Sequence, residues 1–511
     1  MPDFEQYLRD RTLIVVSNRE PYEHVAAADG RDATVRRPAG GLVSALDPTL
    51  RRTRGTWVAW GSGSGDRDAA DAEGRVAVPP EDPSYTLRRV WLSDAEVEGF
   101  YQGFANTALW PLCHLLLQHY SYRDEYWAAY HAVNQRFADA AADEAARAER
   151  APVVWVQDYH LALAPAMLRA RLAERHPEVA ARAFVHQFWH IPFPGPDLVN
   201  LLPTEVQGDL VRGLLGNDLV GFHTPRHAMN FMDCVAAYVP EAEVRREHRR
   251  VRYRGREVYV GAFPISIDVG YYERLAEAAA GEARALRARY AAGRTRLGVS
   301  VDRVDYTKGI PERLRALDEL WAGAPELRGC LTLLLVATPS RTDVQSYAAL
   351  DADVVRLVDE INARWGTPGW TPIVLRHENV PAEELAAIYR AGDLCLVTSL
   401  QDGMNLVAKE FLACQADERG ALVLSRLTGA AEELGGDGAG AVLINPFNVT
   451  SFVDGIRAAV DMPADERRRR VRALRARLRG ATIFDWLADI LRRVDELAPA
   501  PHADPRAAPA A

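Results

Sequence analysis

The chain has 511 residues, is 48% hydrophobic and carries a net charge of −9. That length makes two or three domains with cores of their own. The acidic balance, with Lys and Arg spread along the chain, argues against a nucleic-acid partner, which would select a basic face.

Five scattered cysteines (Cys113, Cys234, Cys330, Cys395, Cys414) show no CxxC spacing and fit a reducing compartment. The start "MPDFEQYLRD" has no basic-then-apolar leader, and no apolar run reaches ~18 residues. The expectation is a soluble, cytoplasmic protein with no membrane partner.

In chain order, short β-branched runs alternate with Ala/Leu/Arg/Glu stretches. "TLIVVSN" opens the first series, followed by "APVVWVQDY", "ARAFVHQFWH" and "NDLVGFHT". The second series is "TRLGVSVDR", "CLTLLLVATPS", "TPIVLRHE", "DLCLVTS", "ALVLSRL" and "GAVLINP". Near-continuous apolar strands separated by helices predict an α/β fold with two parallel sheets, each covered on both faces. The break near "FPISIDVGYY" divides a first domain, 1–265, from a second, 266–498, with a Pro/Ala-rich disordered tail at 499–511. The last helical pattern, "TIFDWLADILRRVDEL", can pack back on the first domain. The basic run 466–479 has helical spacing and reads as a solvated helix face.

Parallel sheets bind ligands beyond the carboxyl ends of their strands. Arg19 follows the first strand, as a surface charge or an anion ligand. Gly40 and Gly41 in "RPAGGL" stand at a helix start, where backbone N–H groups can approach a phosphate; a plain turn explains them equally well. Asp158 and His190 sit at two further strand ends. His186 and His190 are four apart, but on a strand that is ~13 Å, which rejects a metal pair. No HExxH or CxxC cluster offers a metal site. In the second half, Arg303 and Lys308 flank a turn next to a Gly, a pattern for a phosphate site whose alternative is a loop salt-bridged through Asp302 and Asp305. Arg341 follows another strand. In "QDGMNLVAKE", Asp402 and Gly403 make a turn, Met404, Asn405 and Leu406 open a helix, and Glu410 lies a turn further on.

These landmarks, in the order "VVSNR", "GGL", "YQGFANTALWPLCH", "DYH", "HIPFP", "RVDYTKGIPER", "PSRTDVQSY" and "DGMNLVAKEF", resemble glycosyltransferase family 20, the trehalose-6-phosphate synthases, from about residue 13 to 490. The resemblance implies a GT-B fold, with two Rossmann-like doubly wound domains facing a cleft. It implies a retaining transfer of glucose from a nucleoside diphosphate glucose to glucose 6-phosphate. The donor set it implies is Gly40, Gly41, His190, Arg303, Lys308, Asp402, Gly403, Met404, Asn405, Leu406 and Glu410, with Asp402 on the glucose and Glu410 on the ribose. The acceptor set is Arg19, Trp60, Tyr101, Trp110, Asp158 and Arg341, with Arg19, Tyr101 and Arg341 near the phosphate. Asp158, His190, Arg303 and Lys308 are the implied catalytic residues. No cofactor and no metal are expected, because two cations and a helix N-terminus neutralise the diphosphate.

Two positions depart from the family pattern, both near the expected acceptor site or its lid: Gln157 stands where "HDY" has His, and Trp189 where an aliphatic residue precedes His190. Other phosphorylated acceptors, such as glycerol phosphate or an aminocyclitol phosphate, and a non-catalytic regulatory paralogue stay open. So do the donor base and a homo-oligomeric state. No DxDGT stretch marks a fused phosphatase, so a separate one is expected to act downstream.

Overall fold

The structure, a computed structural model, describes residues 4–26, 34–37, 41–293, 295–340, 345–436 and 438–498. Gly40, Arg341 and the tail 499–511 lie outside them. The chain divides into two compact units, one running to Pro264 and resuming at Phe484, the other spanning Ile265–Ile483.

The first unit is built on strands β1 (Arg11–Ser17), β4 (Thr56–Trp60), β5 (Arg75–Val78), β6 (Tyr85–Val90), β7 (Ala151–Gln157), β8 (Phe184–Phe188), β9 (Leu219–Phe222), β10 (Glu243–Arg245), β11 (Arg250–Tyr253) and β12 (Arg256–Ala262); β2 (Glu23–Val25) and β3 (Thr34–Arg36) form a separate antiparallel hairpin. The order is β10-β11-β12-β9-β8-β7-β1-β4-β6-β5. From β12 to β6 the pairs are parallel, and antiparallel strands finish both edges. Every residue of β7 and β8 is buried, as expected of strands covered on both faces. The chain steps outward from β1 to β4 and β6, then returns to β7 on the other side of β1. That reversal makes the carboxyl ends of β1 and β7 a topological switch point, where such sheets bind ligands.

The second unit contains β13 (Arg296–Arg303), β14 (Leu331–Thr338), β15 (Ile373–Arg376), β16 (Leu394–Val397), β17 (Ala421–Ser425) and β18 (Val442–Ile444), ordered β15-β14-β13-β16-β17-β18 and parallel throughout. Its switch point lies between β13 and β16. Leu314, Leu317 and Trp321 of the helix Ile310–Gly323 pack with Leu333, Leu335, Phe452 and Ile456 in the core. Burying each such side chain contributes about 1.5–3 kcal/mol.

From Phe484 on, the helix Ile483–Leu497 belongs to the first unit. Trp486, Leu487, Ile490, Leu491 and Val494 form one buried stripe, and the Trp486 ring lies 5.6 Å from Trp155 and 5.2 Å from Phe188. The basic run, in the helix Ala464–Arg479, is not wholly a solvated face. Arg467 is only 4% exposed and donates to the carbonyls of Ala459 and Met462 over 3.3 and 3.0 Å. Among the described residues, no helix is long and apolar enough to cross a membrane.

Candidate active site

In the second unit the chemistry gathers at the switch point. β13 ends at Arg303, which is partly exposed. A tight turn follows, in which the Asp305 carboxylate accepts from the Thr307 N–H over 3.0 Å. Lys308 closes the turn, and its Nζ donates to Asp402 Oδ2 over 2.6 Å. Gly309 then takes φ 64°, and a Cβ there would stand 2.6 Å from the Thr398 carbonyl. Only glycine lets the turn lie this close to the end of β16.

Asp402 is fixed from several directions. Ser399 Oγ and Asn405 Nδ2 each donate to the same Oδ2 over 3.2 Å. Asn405, at φ 81°, caps the helix Leu406–Ala413 by accepting from the Ala408 N–H. The expected turn and helix start are present, with Met404 and Asn405 buried. Glu410 lies one turn past the helix start, next to Lys409. Lys409 points into the protein, donating to the Ile265 carbonyl over 2.7 Å and pairing with Glu433 over 2.6 Å. Glu410 accepts from the Tyr272 hydroxyl on Oε1 and from the Tyr389 hydroxyl on Oε2, each over 2.9 Å. Burial pushes its pKa up, and the two hydroxyls oppose that by stabilising the carboxylate.

The loop salt bridge offered as the alternative is not formed by Asp302. Asp302 pairs instead with Arg313, whose Nη2 is 2.7 Å from Oδ2 with both groups buried. Arg313 also donates to Thr398 Oγ1 over 2.9 Å and to Ser300 Oγ, tying the ends of β13 and β16 together. Sequence reasoning passed over Arg313, Tyr272 and Tyr389. Only "GIPER" held a signal, a charge one turn into an otherwise apolar helix face.

In the first unit, Asp158 follows β7 at φ 68°. Its Oδ1 accepts from the backbone N–H groups of Tyr159 (2.9 Å) and His190 (3.1 Å), which joins the ends of β7 and β8. His190 Nε2 lies 2.9 Å from Gln157 Oε1. Burial pushes the ring's pKa down to about 3, leaving it neutral. The departure at Gln157 thus supplies a polar partner for the His190 ring. The other departure, Trp189, is fully buried, its ring 5.1 Å from Phe193 and 6.3 Å from Tyr159.

Arg19 is exposed at the end of β1, its carbonyl accepting from Ser17 Oγ over 2.6 Å. Trp60 ends β4, and its backbone N–H donates to the Asn18 carbonyl over 3.3 Å. Trp60 and Tyr101 lie 6.1 Å apart, and Tyr101 stacks on His160 at 5.7 Å. Tyr101 is carried by the wide helical turns of Val97–Leu109, interrupted at Gly103, where a Cβ would stand 2.6 Å from the Tyr126 ring. Trp110 follows directly, its ring 5.7 Å from Tyr159. The structure therefore links Trp60, Tyr101 and Trp110 to the Asp158 turn through His160 and Tyr159. Gly41 begins the helix Gly41–Thr53.

Residues 11–496 match the family model described as glycosyltransferase family 20. The chain belongs to glycosyltransferase family 20. It is 42% identical over 494 residues to the trehalose-6-phosphate synthase of Mycobacterium avium, covering 95% of this chain and 96% of that protein. The UDP-forming α,α-trehalose-phosphate synthase of Burkholderia vietnamiensis superposes with a TM-score of 0.83 at 31% identity, over 97% of this chain and 99% of that one. The corresponding enzyme of Burkholderia xenovorans, in complex with glucose 6-phosphate, superposes with a TM-score of 0.79 at 30% identity, over 94% and 99%. This family 20 chain has the GT-B fold, and it is a glycosyltransferase acting on small molecules.

Proposed function

We propose that the protein transfers glucose from UDP-glucose to glucose 6-phosphate with retention, giving α,α-trehalose 6-phosphate and UDP. The observation that carries this reading is the Lys308–Asp402 pair at the switch point of the second sheet, beside the capped start of Leu406–Ala413. A fixed cation, a nearby Arg303 and a helix N-terminus suit a diphosphate. Asp402 supplies an acceptor for sugar hydroxyls. The two oxygens of Glu410, each already holding one tyrosine hydroxyl, keep lone pairs for the two ribose hydroxyls.

In the reaction the bond from glucose C1 to the β-phosphate oxygen breaks, and a bond from C1 to the acceptor's O1 forms on the same face. The acceptor hydroxyl's proton passes to the departing diphosphate. Arg303 and Lys308 stabilise the charge growing on that leaving group, an interaction stronger in the transition state than in the ground state. No metal is required in this reading, because those cations do the neutralising. Asp158, held by two backbone N–H groups, accepts from an acceptor hydroxyl. Trp60, Tyr101 and Trp110 offer the aromatic wall, and Arg19, Tyr101 and Arg341 take the acceptor phosphate. All five cysteines are unpaired, which supports a reducing, cytoplasmic setting. The product keeps its phosphate ester, so a phosphatase has to act next if free trehalose is made.

The test is product formation. Purified protein is given UDP-, GDP- and ADP-glucose in turn, with glucose 6-phosphate and then a panel of other phosphorylated acceptors. Mass spectrometry should find a disaccharide phosphate with glucose 6-phosphate. Turnover only with another acceptor, or none with any donor, would replace this reading.

A further inference from the structure

We infer that a basic cavity in the second unit, away from the β13/β16 switch point, is a binding site for a phosphate-type anion. The cavity measures about 240 Å³ and is lined by Arg284, Arg287, Arg390 and Arg419, with Asp417 the one carboxylate in its wall. Three segments supply these groups: the helix Ala280–Tyr290, the helix Ala382–Ala391 and the turn after Cys414.

The charges do not balance. Arg390 takes Asp417 with two bonds of 3.0 Å. Arg287 pairs with Asp393 over 3.0 Å. Arg419 reaches Asp417 only at 3.7 Å, and its Nε–H is buried without an acceptor among the described residues. Arg284 is exposed and forms no ion pair within contact distance among the described residues. Behind the wall, buried Arg467 donates to the carbonyls of Arg419, Ala459 and Met462 over 3.0 to 3.3 Å. Four guanidiniums therefore stand against two carboxylates, Asp417 and Asp393, leaving an excess of two positive charges.

Guanidiniums crowded into one wall repel one another, and an anion bound among them relieves that repulsion. A guanidinium fork fits phosphate oxygens in bidentate fashion. A dianion placed among Arg284, Arg390 and Arg419 would meet the free donors and offset the excess charge. The volume admits inorganic phosphate or the ester of a short carbon chain, and is small beside pockets for drug-sized ligands, roughly 300–1,000 Å³. The wall is also continuous with Glu410. Arg390 follows Tyr389 in sequence, and its Nη1 donates over 2.6 Å to Ala276 in the helix that carries Tyr272.

The site is tested independently of the proposed reaction. Inorganic phosphate, and separately glycerol 3-phosphate, is titrated calorimetrically into the wild-type protein, into Arg303→Ala, and into Arg284→Ser/Arg419→Ser. Both serines replace side chains more than a third exposed, and an unchanged melting temperature confirms folding; the single variant Arg284→Ser serves if the double variant melts early. Binding should survive Arg303→Ala and weaken at least tenfold in the serine variants. Tighter binding of glycerol 3-phosphate than of phosphate would mark an ester site, and the reverse order a site for the free anion. No binding to the wild type, or equal binding to the serine variants, would overturn the inference.

Discussion

Lys308 Nζ lies 2.6 Å from Asp402 Oδ2, although 94 residues separate them in sequence. The contact exists because β13 and β16 are neighbours at the point where strand order reverses. Asp402 keeps Ser399 and Asn405 as donors when the lysine is removed, so its carboxylate should hold its place in Lys308→Ala. What is lost is a cation beside the proposed leaving group. Turnover should fall by roughly 10²–10³, the effect of about 3–4 kcal/mol of transition-state stabilisation. Steady-state kinetics at saturating donor measures it; a change confined to KM would show that Lys308 only binds.

Arg303 and Arg313 separate chemistry from stability. Arg303 is partly exposed at the strand end, and Arg303→Ala should lose turnover on the same scale without losing the fold. Arg313 is fully buried against Asp302. Arg313→Met should destabilise the protein by about 3–5 kcal/mol, because it strands a buried carboxylate. Denaturant midpoints should distinguish the two variants, and equal midpoints would be inconsistent with the assignment.

Tyr272 donates to Glu410 Oε1, and Phe at this position removes the donor while keeping the ring. A hydrogen bond to a charged group contributes about 1.5–3 kcal/mol, and part of this should appear as a donor KM raised roughly tenfold for ~1.4 kcal/mol. Turnover should change little, since the ribose is remote from the breaking bond. Unaltered KM in Tyr272→Phe would show that the tyrosine does not position Glu410.

Acid should destabilise the first unit through its buried histidines. Burial pushes the pKa of His186 and His190 down to about 3 and that of His227 to about 4. The unfolded chain then binds more protons than the folded one as pH falls below about 6.5. Their contribution is complete above that pH and is lost progressively down to about pH 3–4. Melting temperature should therefore drop between pH 7 and 4, and less steeply in His186→Phe. An identical slope in the variant would contradict a neutral buried His186.

Much of this was legible in the sequence. Apolar runs such as "TLIVVSN" and "DLCLVTS" announced parallel strands, and the polar residues just after them proved to sit at the two switch points. Residues that act through distant partners were not legible. Arg313 meets Asp302 only because the helix Ile310–Gly323 folds back over β13, and Tyr272 and Tyr389 reach Glu410 from helices far apart in the chain. The last helix was ambiguous for a similar reason: its apolar stripe fixes that it is covered, and the contacts of Trp486 with Trp155 and Phe188 show by what.

The central claim is glucosyl transfer to glucose 6-phosphate with retention. The most direct measurement is NMR of the product formed from UDP-glucose labelled with ¹³C at C1 and unlabelled glucose 6-phosphate. The account predicts one labelled anomeric carbon in the α configuration, linked to a second α anomeric carbon of the phosphorylated ring. A β linkage, a bond to a non-anomeric hydroxyl, or label found only in free glucose would contradict it.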